Sequence, residues 1–276
     1  MKTGIFRTAR TGIVALAMSS AFVATAAEPP SADSYTRTHH PIVLIHGYSG
    51  FDDILGISYW FRIPKQLRAG GAEVYVLQVS AMNQTEVRGE QAARQIETIL
   101  ASTGAEKVNI IGHSHGGPTS RYVASVYPQY VASVTSVGGV NWGTPVADLT
   151  VETGDRIPLV EWVSNGAMNG LGRLLDFLSG GHLPQDGGAA IKSLSTAETL
   201  RFNAEHPAGM PTEYCGSGPE LADNGVRYFS WTGNRIRTNL ADISDYFLLL
   251  SGMMIGEPND GLVPACSTHL GTVLRD

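Results

Sequence analysis

Three unbroken apolar runs mark the first half of the chain: "PIVLIHG" (41–47), "EVYVLQVS" (73–80) and "VNIIGHS" (108–114). Continuous rather than alternating hydrophobicity is the pattern of strands covered on both faces. Between the second and third, "TEVRGEQAARQIETILAS" (85–102) sets Val87, Ala92, Ile96, Ile99 and Leu100 on one helical stripe. "GPTSRYVASVYP" (117–128) predicts a helix whose Pro118 falls in the tolerated first turn. "VTSVGGVN" (134–141) predicts a further strand. Strands alternating with helices imply an α/β fold, a mostly parallel sheet with helices on both faces. Ligands in such sheets sit beyond the carboxyl ends of the strands, and Ser114 is at one of those ends.

Residues 143–210 break the rhythm. They are glycine-rich and loop-like, interrupted by "VEWVSNGAMNGLGRLLDFLSGG" (160–181). Met168, Leu171, Leu175 and Leu178 recur there at helical spacing, with Arg173 and Asp176 between them. The pattern predicts an amphipathic helix inserted in the sheet topology rather than a separate domain. A mobile cover over a site and an ordinary core helix both fit that periodicity.

The first residues follow a different plan: a basic start (Lys2, Arg7, Arg10), an apolar middle from Gly12 to Val23, and Ala24-Thr25-Ala26. This is the anatomy of a secretory signal peptide over residues 1–26; as a membrane anchor the uncharged stretch is short. The rest, 27–276, suits one large α/β domain. With 43% hydrophobic residues, a formal charge of −6 and no basic cluster, the composition argues against a nucleic-acid partner. The two cysteines, Cys215 and Cys266, favour one disulfide in an exported chain over two free thiols. No histidine spacing resembles a zinc site.

Gly112-His113-Ser114-His115-Gly116 fits G-x-S-x-G, in which a strained strand-to-helix turn exposes a nucleophilic serine. The pentapeptide is a weak signal in a chain with 32 glycines; its place between an apolar strand and a helix is what strengthens it. A second motif, His46-Gly47-Tyr48-Ser49-Gly50, ends the first run. Acyl transfer builds charge on a carbonyl oxygen that preorganised N–H groups must meet. In this arrangement the backbones of Tyr48 and His115 supply them, while His46 pins its loop by hydrogen bonding.

Longer runs carry a resemblance. "HPIVLIHG", "FDDILGISYWF", "EVRGEQ", "VNIIGHSHGGPTSRYVA" and "PNDGLVPACSTHLG" resemble those of the Pseudomonas-type secreted triacylglycerol lipases, from about residue 34 to the last. The resemblance implies an α/β-hydrolase fold; the amphipathic 160–181 helix, within an insertion at about 143–210, is the candidate lid. It implies hydrolysis of long-chain acylglycerols at an oil–water interface, and secretion to the extracellular space via the periplasm. A structural calcium ion and a lipase-specific foldase chaperone are implied as well. Residue by residue, Ser114 matches the nucleophile, Asp260 the triad acid, Tyr48 and His115 the oxyanion hole, and Cys215 and Cys266 the disulfide. Asp242 in "TNLADISDYF" matches one calcium carboxylate, a hard oxygen ligand of the kind calcium requires.

The triad order is serine, acid, histidine, and only His269 follows Asp260. In the family "HLG" is not the catalytic position; the catalytic histidine and the second calcium carboxylate come later than "GTVLRD". The sequence therefore reads as a C-terminally incomplete lipase, nearly inert as it stands, in which His269 makes a structural hydrogen bond. Two alternatives are an esterase for small soluble esters and a non-catalytic lipid-binding relative.

Overall fold

The computed structural model describes residues 34–276 except 55–56, 157, 235 and 237–242. The leader expected over 1–26 and the calcium residue Asp242 fall outside the described residues. The first apolar run forms β1 (Ile42–Ile45), and a short hairpin of β2 (Asp53–Ile54) and β3 (Ile57–Ser58) follows. Then come α1 (Ile63–Ala69), β4 (Val74–Leu77), α2 (Thr85–Thr103), β5 (Val108–His113), α3 (Gly116–Val126) and β6 (Val131–Val137). Four helices intervene, α4 (Pro145–Arg156), α5 (Pro158–Leu178), α6 (Gly187–Ser193) and α7 (Thr196–Glu205), before β7 (Arg227–Trp231), α8 (Ile243–Gly252) and β8 (Thr272–Arg275).

The main sheet runs β4-β1-β5-β6-β7-β8 with every neighbouring pair parallel. Each of the predicted strands and helices is present. The sixth-strand residues start at Val131 rather than 134, because Val131 pairs with Val108, and they stop before Gly138, whose φ of 54° turns the chain. Residues of β1 alternate between two cores. Val43 and Ile45 join Ile110, Val134, Ala92, Ile96 and Val123 on one face; Ile42 and Leu44 join Val74 and Trp60 on the other. The α2 stripe works as predicted, and Ile96 is fully buried; truncating such a side chain to alanine typically costs about 2–5 kcal/mol.

The sequence reading of 143–210 needs two corrections. The segment holds four helices, not one: α4 precedes the predicted α5, and α6 and α7 are too short for periodicity to show. Their local signal was capping: Asp186 accepts from the Ala189 N–H and Ser195 from the Glu198 N–H. In α5, Met168 and Leu175 pack inward against Tyr48, Ala81, Met82 and Ala190, whereas Leu171 and Leu178 are exposed. The four positions lie on one helical stripe, but only Met168 and Leu175 have partners packed over them, and Leu171 and Leu178 at its edge stay exposed.

Chain order sets the place of the site. The chain passes from β1 outward to β4, then crosses back to β5 on the other side of β1. The crevice between the carboxyl ends of β1 and β5 is thus a topological switch point. The loop after β1 and the turn after β5 meet there, with Ile45 opposite Gly112.

Candidate active site

Ser114 occupies the turn between β5 and α3 at φ 53°, a left-handed conformation that a residue with a side chain adopts only when its surroundings impose it. Two backbone bonds impose it here: the Ser114 N–H donates to the Val137 carbonyl at 3.0 Å, and its own carbonyl accepts from the Gly117 N–H at 2.9 Å. Gly112 is needed because any side chain there would strike the Gly116 carbonyl. The turn holds Ser114 partly exposed, and among the described residues its hydroxyl has no hydrogen-bond partner.

The loop after β1 lies against this serine. A methyl group on Gly47 would stand 2.8 Å from Ser114 Cβ. The loop is built from inside: His46 is fully buried, its Nδ1 donates to the Gly47 carbonyl at 2.9 Å, and its Nε2 accepts from the Val79 N–H at 3.4 Å. Burial and the Arg88 charge push its pKa down to about 3, so it is neutral at physiological pH and serves as a strut. The pinning role read from the sequence is what the structure shows.

Arg88, on α2, is the residue sequence reasoning missed. It is fully buried and donates to the carbonyls of His46 (2.6 Å), Gly47 (3.4 Å), Ala81 (3.4 Å) and Ser80, and to Thr119 Oγ1 at 3.3 Å. One guanidinium thereby ties the loops after β1 and β4 to α3. Its pKa falls to about 9 through burial, which still leaves it charged near neutrality. The signal was a charged residue four positions before Ala92, inside the apolar stripe of α2.

Tyr48 follows Gly47 in the loop packed against Ser114, and His115 follows Ser114 in the turn. Among the described residues neither backbone N–H has an acceptor. Unpaired main-chain donors are uncommon in such settings, and two beside a strained serine form an arrangement ready to receive an oxyanion. The His115 ring is fully buried, with Nε2 at 3.0 Å from Thr85 Oγ1 and 3.4 Å from Ser193 Oγ, and burial lowers its pKa well below the ordinary value. The Tyr48 hydroxyl donates to Met168 Sδ at 3.0 Å, so α5 is seated on the loop that carries this donor.

Asp260 stands in the loop between α8 and β8. Its Oδ1 accepts from the N–H groups of Leu262 (2.9 Å) and Val263 (2.8 Å). Oδ2, without a hydrogen-bond partner among the described residues, lies at the carboxyl end of β6, 3.5 Å from where a methyl group on Gly138 would stand. A carboxylate with one oxygen anchored and the other directed inward can orient an imidazole. His269 is not that imidazole: its Nδ1 donates to the Gly216 carbonyl at 2.8 Å and its Nε2 meets Asp276 Oδ1 at 3.1 Å. All eight histidines of the chain lie among the described residues, and none contacts the Ser114 hydroxyl.

Cys215 and Cys266 are joined in a disulfide that spans 51 positions and ties the segment before β7 to the one after Asp260. Among the described residues no group of three or more His, Cys, Asp or Glu side chains is placed to hold a metal ion. Asp242 lies outside the described residues.

Comparison with known proteins agrees with this geometry. Residues 40–236 match the family described as alpha/beta hydrolase fold. The chain is 51% identical to a triacylglycerol lipase of Vibrio cholerae over 96% of its own length and 85% of the relative's. It is 37% identical to a triacylglycerol lipase of Pseudomonas fragi over 88% of this chain and 86% of that one. Among solved structures, a lipase of Bacillus licheniformis in mature form superposes with a TM-score of 0.60 at 22% identity, covering 90% of this chain and 84% of that chain.

Proposed function

This chain belongs to the alpha/beta hydrolase family and, within it, to the triacylglycerol lipases, serine hydrolases of carboxylic esters; from that premise we propose that Ser114 attacks the ester carbonyl of long-chain acylglycerols. The observation that carries the assignment is a serine held at positive φ beside the N–H groups of Tyr48 and His115, neither of which has an acceptor among the described residues. Attack by Ser114 Oγ turns the planar carbonyl into a tetrahedral adduct whose oxygen is negative. The two N–H dipoles meet that charge without reorganising, while collapse of the adduct expels the alcohol and leaves the acyl group on Ser114. Asp260 is the acid that orients the base and stabilises it when it becomes charged.

A serine hydroxyl needs a base in hydrogen-bond reach, and none of the eight histidines supplies it in this structure. We propose that hydrolysis by the chain as folded here is close to background and that free imidazole raises it. The test is hydrolysis of a p-nitrophenyl ester by the 276-residue chain with and without imidazole, the rate of Ser114→Ala being subtracted. A Ser114-dependent gain is expected. No gain overturns the nucleophile assignment. Lipase-like turnover without imidazole that disappears in His269→Ala makes His269 the base.

The reading extends to α5 as a lid, supported by its seat on Tyr48 and its exposed apolar side chains. Export through a leader over 1–26 is supported by the basic-apolar-small pattern of those residues and by the disulfide. A foldase partner and a calcium ion held in part by Asp242 rest on family membership alone.

A further inference from the structure

The hairpin β2–β3 has no part in the chemistry above, yet it delivers Tyr59 to the centre of the site. The Tyr59 hydroxyl accepts from the Gly47 N–H at 3.2 Å and lies 2.5 Å from His113 Nδ1. Gly47 carries the nucleophile's close neighbour in the loop, and the next N–H is that of Tyr48. His113 is the last residue of β5, beside Ser114 in sequence and partly buried.

A hydroxyl has one proton to give. Among the described residues Tyr59 has no third partner, so its proton goes to His113 Nδ1, and the imidazole's own proton belongs on Nε2. That edge lies on the side of the acid, which acts on it through its charge and not through a hydrogen bond: a methyl group on Gly138 would stand 4.0 Å from His113 Nε2 and 3.5 Å from Asp260 Oδ2. Trp60 fixes the orientation, standing edge-on to both rings with centroids 5.7 Å from Tyr59 and 6.2 Å from His113. Burial lowers the His113 pKa while Asp260 draws it up, and the ring stays uncharged near neutrality.

We infer that Tyr59 and His113 are positioning residues that join the acid to the oxyanion loop, through an ordered run of dipoles from Asp260 to His113 Nε2–H, from Nδ1 to the Tyr59 hydroxyl, and from Tyr59 to the Gly47 N–H. The negative carboxylate selects the Nε2–H tautomer. That choice makes Nδ1 an acceptor, which turns the Tyr59 proton away from Gly47 and leaves the phenolic oxygen to receive the Gly47 N–H. The orientation of Gly47 then sets the donor of Tyr48, so this inference rests on the proposed oxyanion role of that N–H. His113 does not serve as the base, because its Nδ1 is filled by Tyr59 and its Nε2 carries the proton.

The relay is read by nitrogen NMR on the labelled 276-residue chain, with His113 assigned by its loss in His113→Asn. The parent should show an unprotonated Nδ1 and a proton on Nε2. Tyr59→Phe should speed exchange of the Gly47 amide about tenfold, the size expected when one ordinary hydrogen bond is lost. His113→Asn, whose side-chain oxygen can still accept from Tyr59, should retain Gly47 protection that His113→Leu loses. With imidazole supplied, Tyr59→Phe should lower kcat about tenfold with KM unchanged. An Nδ1–H tautomer in the parent, or unaltered Gly47 exchange in Tyr59→Phe, overturns the relay. If the tautomer and exchange results hold but no variant shows Ser114-dependent hydrolysis, the relay stands and the catalytic reading falls.

Discussion

Gly47 stands so near Ser114 that a methyl group on it would lie 2.8 Å from the serine Cβ and 2.9 Å from the Tyr59 hydroxyl. Backbone and nucleophile are in contact with no room for a side chain, which is how the loop brings its next N–H to the reacting carbonyl.

Gly47→Ala should therefore push the loop away and remove the Tyr48 donor. Loss of one oxyanion donor typically lowers kcat by about 10²–10³. Imidazole-supported hydrolysis by Gly47→Ala should fall by that order while thermal unfolding changes far less. An activity within about twofold of the parent would show that the N–H of the following residue is not used, the full effect being the reference.

Arg88 carries more of the loop architecture than any other side chain described here. Arg88→Met keeps the stem but leaves the carbonyls of His46 and Ser80 without their donor. Each buried group so stranded typically costs about 1–3 kcal/mol. Urea unfolding should show a loss of a few kcal/mol, and Arg88→Lys should recover only part, since an ammonium cannot span both loops. Equal stability of parent and Arg88→Met would refute the strut.

The outward face of α5 should matter to lipid contact and not to folding. Phe177 is 71% exposed and Leu174 53% exposed. Replacing both with serine should leave the unfolding midpoint nearly unchanged but reduce adsorption to emulsified triacylglycerol, measured as depletion of protein from the aqueous phase. Undiminished adsorption would remove α5 from the interfacial role.

Acid should unfold the chain before its carboxylates are titrated. His46, His113 and His115 all have pKa values lowered by burial, His46 to about 3. The unfolded state binds protons at the ordinary histidine value of 6.5, so it holds more of them and gains as pH falls. The sign is fixed: stability is fully present above 6.5 and is lost below it. Each histidine contributes a slope of about 1.4 kcal/mol per pH unit until its folded pKa is reached. Unfolding free energy measured from pH 7 to 4 should drop steeply, and His46→Gln should flatten the curve. A flat profile in the parent would mean that the rings are hydrated.

The sequence alone determined β1, β4, α2, β5, α3 and β6 in order, the elbow at Ser114 and the loop at Tyr48, because each is written in local patterns. Apolar runs, helical periodicity and glycines beside a serine act over a few residues, and their positions needed no knowledge of distant chain. The resemblance supplied Asp260 and the cysteine pair in the same way, as matched words. What only the tertiary structure decided are the things that depend on which loops meet. Arg88 acquired its role only when two loops and α3 closed around it. His113 and Tyr59, 54 positions apart, gained their meaning from the hairpin that folds one ring onto the other. His269 was the one histidine in the right order after Asp260, and the fold turned it toward Gly216 and Asp276 instead. In α5 the apolar residues divided between an inner and an outer face according to what packed beneath them. Periodicity states which residues can share a face, but burial is settled by partners, and partners come from the long-range closure of the sheet.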